Sequence, residues 1–227
     1  MFPEPPAGHP LFDAEGAKKL AAYRELASSL HHWIREHTQI MQDRHFPNTL
    51  IELKRLAEGS QRFRTEEVPP RLREKEHVIH AFRDLERHLR DSGESVDRDL
   101  QPDNLERNWT TLMNAYQERD RAIQDEIQRL EKLQRLAEKV HQEAKHTDSK
   151  LDDIEVWIED EAKRVDHLHP RDAKANCDKI EKELQRAEEV IKSMFNDVQV
   201  LRDNRYHQAN ELHRRYNGGP AVIMDTF

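Results

Sequence analysis

The chain has 227 residues, of which 36% are charged, 35% hydrophobic and 6% aromatic, and it contains only six glycines. This balance is typical of long helices and argues against sheets, which need β-branched and aromatic residues and turn glycines. The net charge of −8, with both signs interspersed, argues against a nucleic-acid partner and against an anionic membrane surface.

Two further classes are excluded by the order of the residues. No run approaches eighteen apolar residues, so no membrane-spanning helix is expected, and the N-terminus has no basic region followed by an apolar run, as a signal peptide would. The single cysteine, Cys177, cannot form an intrachain disulfide and suits a reducing compartment.

The first predicted element is a helix that follows a proline-rich leader. Residues 1–12 contain four of the ten prolines, and proline fixes its own φ and restricts the preceding residue, so we expect an extended linker there. Asp13 is a suitable N-cap, and a helix of about 13–44 is predicted. Its apolar stripe consists of Leu20, Tyr23, Ala27, Leu30, Ile34 and Met41.

A second helix is predicted over about 47–91. Pro47 is placed to end one helix and start the next, and the prolines at 68–70 are expected to kink or break the helix there. The polar residues 91–102, with Gly93, form the next predicted loop. Asp103 followed by Glu106 then has the character of a capping box.

The longest periodic stretch runs from Trp109 to Leu168. Apolar residues recur in steps of three and four, and neither proline nor glycine interrupts them, which predicts one helix of roughly 90 Å. We interpret it as the third helix of one bundle, 103–145, continuing as the first helix of a second bundle, 146–168. The predicted domains are therefore 13–145 and 146–216, in an elongated protein.

The second bundle is expected to be incomplete. Its second helix, about 171–202, carries an apolar seam from Cys177 to Leu201. Its third helix, about 208–216, is short because Gly218, Gly219 and Pro220 end it. Residues 217–227 form an irregular tail. An incompletely covered seam favours self-association or pairing with another chain.

The three tryptophans recur in comparable settings, and the unit repeats at about one hundred residues. We expect them in the core, together with apolar residues of the long helix and of the following helix. The predicted core residues are Trp33, Trp109, Trp157, Tyr116, Ile123, Leu130, Leu151, Ile180, Leu184 and Ile191.

Four short segments carry a family resemblance: 30–36 (LHHWIRE), 44–48 (RHFPN), 63–70 (FRTEEVPP) and 194–199 (MFNDVQ). In this order, together with tryptophan-containing heptads, they resemble the spectrin repeats of the plakin domain, in particular the first repeat pair of plectin-type and spectraplakin-type cytolinkers. The first repeats of β-spectrin are the nearest competitor. The resemblance implies an all-α fold of tandem spectrin-like three-helix bundles joined by a continuous helix, with the second repeat truncated in its third helix.

The resemblance also implies a function. We expect a non-enzymatic cytoskeletal linker segment, a rigid helical spacer and protein-interaction module that helps to anchor filaments at cell adhesion sites such as hemidesmosomes. Implied partners are adhesion-receptor cytoplasmic tails or other cytoskeletal proteins, in the cytoplasm and at junctions. Actin binding is expected only through a calponin-homology domain that this sequence lacks. The partner-binding residues are unknown, and no cofactor is expected.

Three alternatives have weaker sequence support. A BAR-like membrane-shaping dimer would need a basic concave face, which the charge does not favour. A di-iron bundle enzyme needs Glu-x-x-His pairs on facing helices, whereas Glu138/His141 and Glu143/His146 lie on one predicted helix. A spectrin-type membrane-skeleton fragment is the third.

The other candidate sites have ordinary structural explanations. The close histidines His77 and His80 have no recognisable third ligand, so no metal site is predicted. Cys177 at a seam position is expected to be a buried, inert residue. Arg119, Glu126 and Glu161, charged residues on seam positions, are expected at the bundle edge or in ion pairs.

Overall fold

A computed structural model of the chain describes residues 9–90 and 92–206, with side-chain environments from residue 14 onward. The described residues contain helices and connecting loops, and no strand. The helices are α1 (His9–Gln42), α2 (Leu50–Arg62), α3 (Val68–Leu89), α4 (Pro102–Arg164) and α5 (Pro170–Asp203). A π-helical segment, Phe63–Glu67, joins α2 to α3, and 3-10 turns occupy Arg98–Leu100 and Val165–His167. The predicted all-α fold class is confirmed.

The chain divides into two compact units, Met1–Ile127 and Gln128–Phe227. The 63 residues of α4 extend across this division, so a single helix supplies part of each unit. The predicted continuity of the stretch from Trp109 onward thus holds as far as Arg164. The predicted bundle boundary at 145–146 stays a prediction.

The first unit packs α1, the α2–α3 pair and the N-terminal part of α4 around one apolar core. The α1 residues of this core recur at helical spacing, which places them on one face. Thr49 caps α2, where its hydroxyl oxygen accepts a hydrogen bond from the Glu52 backbone N–H at 3.4 Å. The fully buried side chains of this unit include Tyr23, Leu30, Ile34, Leu53, Val78, Leu85, Leu105, Leu112 and Ile123.

The π-helical segment corrects the expected position of the helix break. The irregularity lies at Phe63–Glu67, directly before Pro69 and Pro70, which occupy the first turn of α3 and have no N–H to donate to the carbonyls of the preceding turn. The Val68 N–H donates to the Phe63 carbonyl, five residues back. The chain therefore continues as a helix through the two prolines.

The loop between α3 and α4 is held against α1. Gly93 has a φ of +75°, in the left-handed region that glycine adopts without strain. The Tyr23 hydroxyl donates to the Leu100 carbonyl, and the Asn104 amide donates to the Asp99 carbonyl at 2.8 Å. These bonds fix the start of α4 beside α1.

The described part of the second unit packs the remainder of α4 against α5. One apolar cluster between these two helices consists of Ala144, Leu151, Ala187, Ile191 and Met194, with Leu184 partly buried beside it. His169 caps α5, since its ring nitrogen accepts from the Arg171 N–H at 3.1 Å, and Pro170 follows at the first helical position. The predicted helix 208–216, its early end and the predicted tail 217–227 lie outside the described residues.

Ion pairs link the two helices of the second unit. The Lys150 ammonium lies 2.9 Å from the Glu183 carboxylate, and Lys139 lies 3.4 Å from Asp197. Hydrogen bonding by Lys150 is the main cause that lowers the pKa of Glu183. Solvent screens partly exposed pairs of this kind and leaves them a small share of the stability, so apolar packing dominates the pairing of α4 with α5.

Candidate interaction surfaces

Aromatic side chains from α1, α4 and the π-helical segment form a stack in the first unit. The Trp33 ring lies 6.1 Å from Trp109, 5.9 Å from Phe63 and 4.3 Å from His37, measured between ring centroids. Tyr116 continues the stack 5.7 Å from Phe63. Trp33 and Trp109 are 9% and 7% exposed. These rings therefore belong to the core and do not form a platform for a ligand.

Two cationic side chains of α3 lie over the tryptophan rings of this stack. The Arg71 guanidinium lies 5.3 Å from the Trp33 ring centroid, and the Lys75 ammonium lies 5.3 Å from that of Trp109. Lys75 also donates to the Glu106 carboxylate at 2.9 Å, although it is only 8% exposed. A cation over a tryptophan face stabilises the fold by about 0.5–2 kcal/mol.

The structure places the ten predicted core residues in two groups. Trp157 and Leu184, both in the second unit, are partly buried. The other eight are buried: Trp33, Trp109, Tyr116, Ile123, Leu130, Leu151, Ile180 and Ile191.

Cys177 is exposed, so the expectation of a buried cysteine was wrong. Its side chain lines an apolar groove of about 350 Å³ formed by the last turns of α4 and the first turns of α5. Among residues 9–90 and 92–206, the residues that line it all come from 158–184. The other residues lining it include Ile158, Ala162, Val165, Ile180 and Leu184.

The charged seam residues have different surroundings. Glu161 accepts a hydrogen bond from the Asn176 amide at 3.2 Å and lies 3.9 Å from the Arg164 guanidinium. Glu126 is half-buried. The Arg119 guanidinium lies over the Phe46 ring at 5.6 Å.

A polar groove of about 450 Å³ separates α1 from α4 in the first unit. Sequence patterns did not indicate it, because amide and hydroxyl residues on a helix face usually mark a solvated surface. The only available signal was their recurrence in steps of three and four on two helices. The polar side chains lining it include His31, Arg35, Thr38, Gln39, Asp99, Asn104, Asn108 and Thr111.

Potential metal ligands are not clustered among the described residues. Within 9–90 and 92–206, no group of three or more His, Cys, Asp and Glu side chains could hold a metal ion. The two Glu-x-x-His pairs lie together on α4, whereas a di-iron site needs ligands from facing helices. Over the same residues no helix has the length and apolar character needed to cross a bilayer.

Part of the chain matches a known family of helical repeats. Residues 129–218 match the family model of the spectrin-like repeat, and this match includes the second part of α4 and all of α5. This match and the three-helix packing of the first unit are both consistent with a spectrin-like helical bundle.

Individual relatives extend the similarity to most of the chain. Microtubule-actin cross-linking factor 1 of Rattus norvegicus is 27% identical over 212 residues, which cover 93% of this chain and 4% of that protein. The Homo sapiens protein of that name is 26% identical over 93% of this chain and 3% of its own length. The erythrocytic spectrin beta chain of Mus musculus is 24% identical over 87% of this chain and 9% of its own.

These matches confirm the predicted resemblance to spectrin repeats of the spectraplakin type, with β-spectrin as a weaker competitor. The chain spans less than a tenth of the length of each relative named above.

Proposed function

We propose that this chain is a non-enzymatic helical spacer and protein-interaction segment of a cytoskeletal cross-linking protein. The observation that carries the proposal is α4, a single helix of 63 residues that supplies part of both units. A helix without an interruption passes load along its hydrogen-bonded backbone, whereas a glycine-rich linker would extend first. The names of the relatives, a microtubule-actin cross-linking factor and a spectrin chain, support a structural role of this kind.

The proposal includes a plakin-type setting. We place the chain in the cytoplasm, on the cytoskeleton near cell adhesion sites, with adhesion-receptor tails or other cytoskeletal proteins as partners. Support for this finer assignment comes from the segments 30–36, 44–48, 63–70 and 194–199 and from the higher identity to the cross-linking factor than to spectrin. An actin contact would require a calponin-homology domain outside this sequence.

Force spectroscopy tests the spacer role. The full chain is pulled from its two ends, beside a variant with two glycines inserted between Ile127 and Gln128. We expect the native chain to resist force and to lose both units together in many pulls, because α4 couples them. The glycine insertion should make the two unfolding events independent. A native chain that extends without resistance, or that already unfolds in two uncoupled steps, would contradict the proposal.

The predicted self-association through the second unit stays a prediction. The apolar groove beside Cys177 is compatible with it, whereas residues 151–190 carry thirteen acidic and seven basic side chains, which makes two copies of this region repel. Sedimentation equilibrium across a range of protein and salt concentrations distinguishes a monomer from a dimer.

A further inference from the structure

The apolar groove beside Cys177 lies within the second unit and is accessible to solvent. Its walls are the last turns of α4 and the first turns of α5. Val165, one of its lining residues, is 47% exposed, and Ala162 and Cys177 are also exposed. By contrast, the apolar cluster around Ala187 and Ile191, between the same two helices, is buried. The groove therefore presents apolar surface to another molecule.

The lining of the groove restricts the conformation of an occupant. Of the nine described residues that line it, seven are apolar and two are glutamates. An extended peptide would leave many of its backbone N–H and C=O groups without partners against such walls, which is costly. A helix satisfies its own backbone hydrogen bonds and presents only side chains. In the first unit, a third helix packs in this way against two others. The apolar walls therefore favour a helix.

The dimensions of the groove indicate how long this helix is. The lining residues of α5 run from Ala173 to Leu184, a distance of about 17 Å along the helix axis. A helix of about three turns spans this distance. The small side chains of Ala162, Ala173 and Cys177 leave room for large apolar side chains on one face of the occupant.

Carboxylates border the groove on both helices. On α4, Glu155, Glu159 and Ala162 follow one another in steps of four and three, so two exposed carboxylates lie in the same row as a lining residue. On α5, the exposed Glu181 lines the groove itself, and Lys174, seven residues earlier, is a basic residue of the same row. No ion pair among residues 9–90 and 92–206 neutralises these three glutamates.

The charge of the surrounding region selects the chemistry of the partner. Residues 151–190 carry thirteen acidic and seven basic side chains, so a second copy of this region or an acidic helix would be repelled. Glu161, deeper in the groove, already accepts from the Asn176 amide and is not counted among the unpaired carboxylates. Lysine and arginine suit the border, because their stems lie along apolar surface while their charged ends reach exposed carboxylates.

We propose that the apolar groove binds a basic amphipathic helix, about three turns long, of a partner protein. The apolar face of this helix packs against Ala162 and Leu184. Its lysine and arginine side chains flank that face and lie beside Glu155, Glu159 and Glu181. This inference rests on the proposed interaction function and names the chemistry of one partner.

The single cysteine of the chain provides a direct test. Cys177 is the only thiol and lines the groove, so a bound helix should shield it from alkylation by a maleimide. The probe is a cysteine-free peptide of about fourteen residues, or roughly four turns, with leucine on one helix face and lysine and alanine elsewhere. At saturation it should slow alkylation of the full chain about fivefold or more, because a thiolate must be accessible to react.

Two control peptides test the chemistry of the partner. In the first, the same residues are reordered so that leucine occupies all faces of the helix. In the second, glutamate replaces lysine. Both should leave the alkylation rate nearly unchanged. Added salt should weaken binding of the basic probe, because exposed charges are screened.

Paired charge substitutions separate the groove from general attraction to an acidic protein. Glu159→Gln combined with Glu181→Gln should weaken binding of the labelled probe, measured by fluorescence anisotropy, about fivefold, because two exposed ion pairs are lost. Asp160→Asn combined with Glu189→Gln is the matched control. It removes the same charge from exposed positions of the same helices, on faces that point away from the groove, and should leave the affinity nearly unchanged.

A second pair of variants tests the apolar contact. Ala162→Gln places a longer polar side chain in the groove and should weaken binding about tenfold or more. Ala175→Gln, at an exposed position on another face of α5, should have little effect. Glutamine is a good helix former, so both variants should keep the helical circular dichroism of the native chain.

Several results would overturn the proposal. These are equal losses in the two charge variants, equal protection by the probe and the reordered peptide, or no protection at all. Slow alkylation of the native chain alone would also overturn it. A rate independent of protein concentration would then assign the groove to another segment of this chain, and a rate that falls with concentration would assign it to a second copy. The force experiment is unaffected by these outcomes.

Discussion

Lys75 is only 8% exposed, and its ammonium lies 5.3 Å from the Trp109 ring centroid and 2.9 Å from the carboxylate of Glu106, which is half-exposed. Long basic side chains commonly cover apolar surface in this way. A charge at this position therefore contributes packing as well as electrostatic energy.

Replacing Lys75 separates these two contributions. We expect Lys75→Ala to lower the free energy of unfolding of the first unit by about 1–2 kcal/mol, because both the stem and the cation over Trp109 are lost. Lys75→Met keeps an unbranched stem and should cost less. Urea unfolding followed by tryptophan fluorescence measures both, and a methionine variant as unstable as the alanine variant would show that the charge alone matters.

Tyr23 predicts how the first unit responds to alkaline pH. Burial raises the pKa of its hydroxyl to about 12, whereas an unfolded tyrosine titrates near 10. The unfolded state therefore releases its proton first, and the stability that depends on the neutral hydroxyl is present below about pH 10 and is lost as the pH rises toward 12.

Tyr23→Phe checks this sign. At pH 7 the variant should be less stable by about 1–3 kcal/mol, because the Leu100 carbonyl loses its donor. The stability difference between the native chain and the variant should shrink as the pH is raised from 9 to 12. Thermal melts at successive pH values measure it, and a constant difference would contradict the assigned titration.

Single positions also show how far a seam pattern can be trusted. Trp33 and Trp109 are buried at positions predicted from the pattern, since three helices of the first unit surround them. Cys177 has an equally regular seam position yet is exposed. The pattern gives the face of a helix, and whether a second helix covers that face depends on packing that the local sequence does not contain.

At the scale of elements, the junction of α2 and α3 contains one residue more than a regular heptad pattern allows. The buried and half-buried positions facing the core are spaced by three or four residues on either side, but Phe63 and Val68 are five apart. A π-helical turn absorbs one extra residue, so both seams face the same core. These positions are Leu53, Leu56, Ser60 and Phe63, then Val68, Arg71, Lys75, Val78, Phe82, Leu85 and Leu89.

This explanation predicts that one residue can be removed there without loss of the fold. Deleting Glu66 restores a spacing of four residues, and Pro69→Ala and Pro70→Ala supply the N–H donors that a regular α-helix needs there. We expect the melting temperature of the first unit to stay within a few degrees of the native value. Thermal melts monitored by circular dichroism provide the measurement.

Deleting Glu76 is the matched control, because this exposed residue lies between the core positions Lys75 and Val78. Its deletion turns the core-facing residues on one side of the deletion away from the core, and this should unfold the first unit. If the Glu66 deletion destabilised the first unit as much, the explanation that the π-helical turn only absorbs one extra residue would be wrong.

The sequence allowed the helices to be predicted closely but not this junction. The length of α4 followed from the absence of proline and glycine, and the start of α5 followed from Pro170. The prolines at 69 and 70 led to the expectation of a kink or break at 68–70. The physical irregularity is instead the five-residue spacing just before them. Proline is tolerated in a first helical turn, so its presence alone did not locate the irregular segment.

At the scale of the whole molecule, α4 raises the question of whether the two units fold independently. Thr147 is buried in the second unit at 4% exposure, in the middle of a continuous helix. Proline there removes one backbone hydrogen bond and clashes with the carbonyl four residues earlier, at a cost of about 3 kcal/mol or more.

We therefore expect Thr147→Pro to destabilise the second unit and to leave the first unit largely folded. Calorimetry should show that the first unit still unfolds cooperatively, whereas the heat absorbed by the second unit shifts to lower temperature or is lost. Thr147→Ala, which keeps a good helix former, should change the melting much less. Loss of all cooperative unfolding in the proline variant would mean that the first unit does not fold without the second.

The positions of the tryptophans give the molecule two internal optical reporters. Trp33 and Trp109 stack at 6.1 Å in the first unit, close enough for their excited states to couple and produce a paired near-ultraviolet dichroism signal. Trp157, in the second unit, lies apart from that pair in sequence and is only partly buried. With Trp33 and Trp109 replaced by phenylalanine, the emission of Trp157 would report the second unit alone, so that unfolding of each unit could be followed without an attached dye.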